Sequence, residues 1–118
     1  MTEPTPTGDS LEMFRDLPFP FDDGRFPFQL GAVVQRTVAD GDEPAREVIH
    51  AEDNSWVVGD GINDPNLPGA VTVLHMQHVL QADPTVGALA SLPLGHIAKR
   101  AAPGRPWVIS VYKWLGEP

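Results

Sequence analysis

Two histidines set three apart, His75 and His78, come closer than any other residues of this chain to the spacing of a chemical site. On a helix, residues i and i+3 share a face, and such a pair can supply two zinc ligands. A third ligand would have to come from His50, His96 or a carboxylate, which would make a small metal-dependent hydrolase or a ligand-binding protein. Against this, the HExxH pattern is absent, and two helix histidines are ordinarily surface side chains, or one core and one surface. The carboxylates Glu52, Asp53, Asp60 and Asp64 gather around one predicted strand. An acid/base pair or a calcium-like site is conceivable there, but EF-hand spacing is missing and charged turns are ordinarily solvated. Gly59-Asp60-Gly61 is not a phosphate loop, since no Walker lysine follows it. None of Ser10, Ser55, Ser91 and Ser110 sits in a Gly-x-Ser-x-Gly elbow. The chain has no cysteine, which excludes a disulfide framework, a thiolate nucleophile and a thiolate metal site, and suits the cytoplasm. The motifs assign no catalytic residue and imply no cofactor.

Aromatic residues offer binding rather than chemistry. Trp56 and Trp107 read as core. Tyr112 and Trp114 are two apart and share one face of a strand, either packed inward or displayed as a binding platform. All five phenylalanines lie between residues 14 and 28, interleaved with prolines in Leu17-Pro18-Phe19-Pro20-Phe21 and Phe26-Pro27-Phe28. Proline removes a ladder donor, so this is an extended strap and not a central strand. It either packs over the domain or forms a contact surface.

The elements that would carry these residues follow from period and punctuation. Residues 1–27 read as a Pro/Phe-rich tail and strap, disordered over residues 1–10, with a short helix from Leu11 to Phe14 capped by Ser10. Residues 28–118 read as one domain. Gln29–Val38 is a first strand, Ala39–Pro44 a turn around Asp-Gly, and Ala45–Ala51 a second strand with Val48 inward. Glu52–Ser55 is a tight turn and Ser55–Gly59 a third strand, the three forming an antiparallel meander. Asp60–Gly69 is a loop and Ala70–Leu74 a fourth strand. His75–Ala82 has helical spacing, and Asp83-Pro84 starts a second short helix reaching Ala90. Leu94–Ala101 and Trp107–Leu115 close the chain as a hairpin through Pro103-Gly104-Arg105-Pro106. The expected class is α+β: a mostly antiparallel sheet of five or six strands, with two short helices inserted before the C-terminal hairpin.

The net charge of −8 is uneven. Residues 1–24 and residues 25–66 each carry −5, while residues 67–118 carry +2 from Lys99, Arg100, Arg105 and Lys113 against Asp83 and Glu117. An acidic chain repels phosphate backbones, which argues against nucleic acid and allows a basic protein partner. No apolar run approaches the roughly 18 residues of a membrane span, and the N-terminus has no secretory pattern.

In combination, several motifs resemble the bacterial immunity protein 33 family, small cytosolic proteins of polymorphic toxin systems, formerly a domain of unknown function. They are Gly31-Ala32-Val33-Val34; Glu52-Asp53-Asn54-Ser55-Trp56-Val57-Val58-Gly59-Asp60; the Asp64-Pro65 loop; His78-Val79-Leu80-Gln81-Ala82-Asp83-Pro84-Thr85-Val86; and Leu92-Pro93-Leu94-Gly95. The likeness spans residues 29–102, and it departs at Val57-Val58, where the family pattern carries a polar or aromatic residue followed by Phe or Leu. It implies a non-enzymatic protein-binding module that occludes a toxin, with Glu52, Asp53, Asp60, Asp64, Tyr112 and Trp114 as candidate contacts to a basic toxin surface. No catalytic residue comes with it.

Overall fold

β-Branched runs interrupted by Gly, Pro and Asp fold into six strands, seen in a computed structural model that describes residues 17–21 and 23–112. They are β1 (Gly31–Gln35), β2 (Glu47–His50), β3 (Trp56–Gly59), β4 (Val71–His75), β5 (His96–Lys99) and β6 (Val108–Val111). Helical turns α1 (Arg36–Ala39) and α2 (Met76–Ala82) and a 3-10 helix, Pro84–Leu89, complete the elements among the described residues. The strands form one sheet in the order β4-β1-β3-β2-β5-β6, and the class is α+β. Both helices expected before the C-terminal hairpin are present, the second as a 3-10 helix whose first turn is held by the Asp83 side chain accepting from the Thr85 amide. Pro84 at its first position lacks only an amide hydrogen that would have been unpaired there. The expected helix at Leu11–Phe14 and the strand end at Lys113–Leu115 lie outside the described residues.

Three expectations are corrected. The first strand stops at Gln35, and Arg36-Thr37-Val38 turn as α1. The turn is fixed from both sides: the Thr37 carbonyl accepts the Asp42 and Glu43 amides at 2.8 and 3.1 Å. Nor do the first three strands form a meander. β1 pairs parallel with β3, and β2 lies beyond β3. Residues 36–46 are too long a connection for a hairpin, so β2 lands one strand further out and β3 fills the gap. The third correction concerns His75, which ends β4 and precedes α2, so it shares no helical face with His78.

Residues paired across strands point to the same side of a sheet. On one side the register aligns Thr72, Val34, Val58, Val48, Ala98 and Ile109, and beside them Trp56, His50, His96 and Val111. Met76, Val79, Val86 and Leu89 from the helices, Leu92, and Phe21 and Phe26 from the strap bury the middle of this side. The strap is thus part of the core: Phe26 meets Trp56 edge-on at 4.8 Å between ring centres, and Phe21 stacks on it at 6.2 Å. Phe28, by contrast, is exposed.

Candidate functional site

The other side of the same sheet carries a second apolar row. Val73, Val33, Val57, Ile49 and Ile97 stand in register across β4, β1, β3, β2 and β5. Val73, Val33, Val57 and Ile49 lie outside the buried core, whereas Ile97 at the β5 end of the row is buried. Val33, Val57 and Ile49 are half-buried, and Val73 is 48 % exposed. An antiparallel sheet with one solvated face ordinarily alternates apolar-in and polar-out. Here the outward positions of the central strands are apolar as well.

Polar groups frame this row at both ends. At one end the register continues as Gln35, Gly59, Glu47, Lys99 and Val108. The Gln35 amide is used in both directions: its Oε1 accepts the Asp60 amide at 2.8 Å and its Nε2 donates to the Asn63 carbonyl at 3.0 Å. Gly59 lies beneath Gln35 and Glu47, where a Cβ would stand 3.2 Å from Gln35 Oε1, so a larger residue would press on that amide. At the other end Glu52 lies over Gly95, within 3.2 Å of where a Cβ would be. Gly95 has φ +74°, a conformation that also favours glycine.

Of the carboxylates predicted from sequence, Glu52, Asp53 and Asp64 are exposed and Asp60 is fully buried. The first two occupy the β2–β3 turn and the last two the loop beyond β3, so the groups sit at opposite ends of a strand about 13 Å long. They form two patches and no acid/base pair. Asp60 organises its loop: its carboxylate accepts from Thr37 Oγ1 at 2.6 Å, Asn63 Nδ2 at 2.7 Å and the amides of Ile62 and Asn63 at 2.8 and 2.9 Å. Burial pushes its pKa up, but the hydrogen bonds from Thr37, Asn63 and Ile62 outweigh that and hold it at about 2. This carboxylate stays ionised and enclosed. Asp64 Oδ1 caps its own turn by accepting the Asn66 amide at 2.9 Å.

The histidines do not converge. His75 follows Val71 and Val73 onto the open side. His78 is exposed and lines a groove of about 780 Å³ between α2 and residues 38–45, on the helix-covered side. His50 is inside the core, stacked on Trp56 at 3.9 Å, with Nδ1 2.6 Å from the Leu92 carbonyl and Nε2 2.7 Å from Asn54 Oδ1. Asn54 Nδ2 in turn donates to the Leu17 carbonyl at 2.9 Å, linking the strap to the β2–β3 turn. Among the described residues no three His, Asp or Glu side chains come together as metal ligands. Tyr112 is half-buried beside Gly95, its amide donating to the Gly95 carbonyl at 2.8 Å, and Trp114 lies outside the described residues.

A second buried ionic centre ties the helices to the sheet. Arg100 donates to the Ala45 carbonyl through Nε at 3.0 Å and Nη2 at 2.8 Å, to Thr85 Oγ1 at 3.0 Å, and to the Asp83 carboxylate. Its guanidinium lies 4.2 Å from the centre of the Trp107 ring. Asp83 is desolvated, which raises its pKa, yet Thr85 and Arg100 together lower it below the usual carboxylate value. Four of the five Arg100 N–H groups are engaged within the fold, so the cluster is structural.

The open row itself escaped the sequence reading. Its signal was the pairs Val33-Val34 and Val57-Val58, in which consecutive strand residues are both apolar and must face opposite sides. No helix among the described residues is long and apolar enough to cross a membrane. No family model, curated protein or solved structure matches the chain.

Proposed function

We propose that this protein is a non-enzymatic protein-binding module, and that the open face of the sheet is where it holds its partner. The observation that carries this reading is the row Val73–Val33–Val57–Ile49, apolar across four strands and outside the buried core among the described residues, which runs on to the buried Ile97 of β5. The row crosses four to five strands about 4.8 Å apart, so it runs for about 15–20 Å along the face. Covering it contributes on the order of 1 kcal/mol per half-exposed Val or Ile.

The partner is a protein with an apolar centre and a basic rim. The supporting observations are the net charge of −8 and the carboxylates that frame the row, Glu47 and Glu52, with Asp53 and Asp64 exposed in the adjoining loops. Such charges raise the association rate and exclude wrong partners more than they add affinity. The narrower form of the proposal is an immunity protein, in which the partner is a toxin domain occluded on this face. Its support is the motif resemblance over residues 29–102.

The test starts from a partner identified by capture at low salt and then titrated calorimetrically. Val57→Glu should weaken binding at least a hundredfold, and rising salt should slow association. A partner that binds Val57→Glu as tightly as the wild type would overturn the open-face reading. If that partner is a toxin, protection of its target by the wild type and not by Val57→Glu supports the immunity role; protection by both sinks it.

A further inference from the structure

The sheet has two edges, and they are built differently. At β4 the residues Thr72 and Leu74 are half-buried and the chain passes directly into α2. At β6 every residue is exposed, with Val108 67 %, Ile109 51 % and Val111 59 % accessible. β6 holds no charge, proline or glycine, the devices that ordinarily blunt an edge. Its outward hydrogen-bonding groups can be assigned. Tyr112 donates to the Gly95 carbonyl, and antiparallel pairs alternate, so Ser110 and Val108 are the next residues bonded to β5. The N–H and C=O groups of Ile109 and Val111 therefore point away from the sheet, with no partner strand among the described residues.

We propose that β6 is a dimerisation edge, and that a second copy of this chain pairs antiparallel with it about a two-fold axis at Ser110. A two-fold axis normal to a sheet keeps each copy's covered side on the same side, which requires residues of equal parity to face each other. In the register centred on Ser110, Ile109 faces Val111 of the second copy and exchanges both hydrogen bonds with it, and Val111 does the same with the second copy's Ile109. Four backbone bonds and two apolar cross-strand pairs form between the two edges.

Charge selects a second copy as the occupant. The start of β6 is basic: Lys99, opposite Val108, and Arg105 are both exposed, and residues 84–112 contain no carboxylate. The far end lies beside Glu52, which rests on Gly95. Antiparallel pairing brings the basic start of each copy to the acidic finish of the other, twice over. Lys99 and the Glu52 site of opposite copies stand three strand spacings apart, about 14 Å between backbones, on the same side of the sheet, so their attraction acts chiefly at low salt. The dimer would join two open faces into one surface of twelve strands. The inference rests on the edge alone and holds whether or not the open face binds a partner.

A four-residue edge is a small interface, so self-association is expected at about 10–100 µM. Sedimentation equilibrium of the full chain from 5 to 500 µM tests it, with amide exchange as the site-specific readout. The expected result is a monomer–dimer equilibrium in which the Ile109 and Val111 amides gain protection as concentration rises. Ile109→Pro removes an outward amide without breaking a bond to β5 and should abolish the dimer. Ile109→Lys, which keeps the amide, should weaken it at least tenfold. Glu52→Lys should weaken it several-fold, and Glu52→Lys with Lys99→Glu should restore it. A chain that stays monomeric at 500 µM overturns the proposal. So does a dimer that survives both Ile109 substitutions, since it would use another surface.

Discussion

The two sides of one sheet are both apolar, and among the described residues only one is covered. On the covered side Trp56, Val58, Val48 and Val34 meet helices, strap and His50; on the open side Val57, Ile49 and Val33 lie outside the buried cluster and are half-buried. Trp56 and Val57 are adjacent in sequence and pair with adjacent residues of β2, yet they differ in what stands over them. The lesson is that hydrophobicity along a strand says which sides can be buried, whereas the covering elements decide which one is.

Substitutions can break this comparison. The largest effect belongs to Trp56→Ala, which should cost about 3–5 kcal/mol in urea unfolding because it opens a cavity between the strap and the sheet. Next comes Arg100→Ala. It leaves the Ala45 carbonyl without its donors and the part-exposed Asp83 carboxylate with Thr85 alone, and should cost about 2–3 kcal/mol by the same measurement. A smaller loss, about 1–2 kcal/mol at pH 7, is expected for Asp60→Asn, which keeps the shape but weakens four hydrogen bonds.

The pH dependence sharpens that third prediction. The folded pKa of Asp60, about 2, lies below the ordinary carboxylate value of about 3.9. A depressed carboxylate adds stability that is fully present above the unfolded value and is lost as pH falls through the folded one. Wild-type stability should therefore decline from about pH 4 down to pH 2, and Asp60→Asn should flatten that part of the curve. The direction at Asp83 is the same, so some decline remains in Asp60→Asn. The smallest effect is expected on the open side: Val57→Glu should change stability by less than about 1 kcal/mol. A loss near that of Trp56→Ala would mean that the open row is covered in the isolated protein, and the contrast between the two sides would fail.

Much of the fold was legible locally. The strand at Trp56–Gly59, the Asp83-Pro84 helix start, and the hairpin through Pro103–Pro106 follow from β-branched runs, a capping carboxylate and turn residues whose preferences act over a few positions. The parallel pairing of β1 with β3 was not, because Val33 meets Val57 across a closed loop and not across a turn. Likewise Asp60 reads as one of four turn acids. Its enclosure depends on Thr37, brought to it by α1, a helical turn hidden inside a β-branched run.

The amino-acid sequence by itself determined the α+β class, most of the strands, the helix pair before the final hairpin, and a net charge unevenly divided along the chain. Only the tertiary structure decided that the phenylalanine strap closes over Trp56, that His75 and His78 part to different sides of the sheet, and that Val73, Val33, Val57 and Ile49 and the β6 edge stay open among the described residues. The physical reason is range. Propensity, capping and turn chemistry are set by neighbours in sequence, while burial, hydrogen-bond completion and edge exposure depend on which distant segments arrive to cover a given surface.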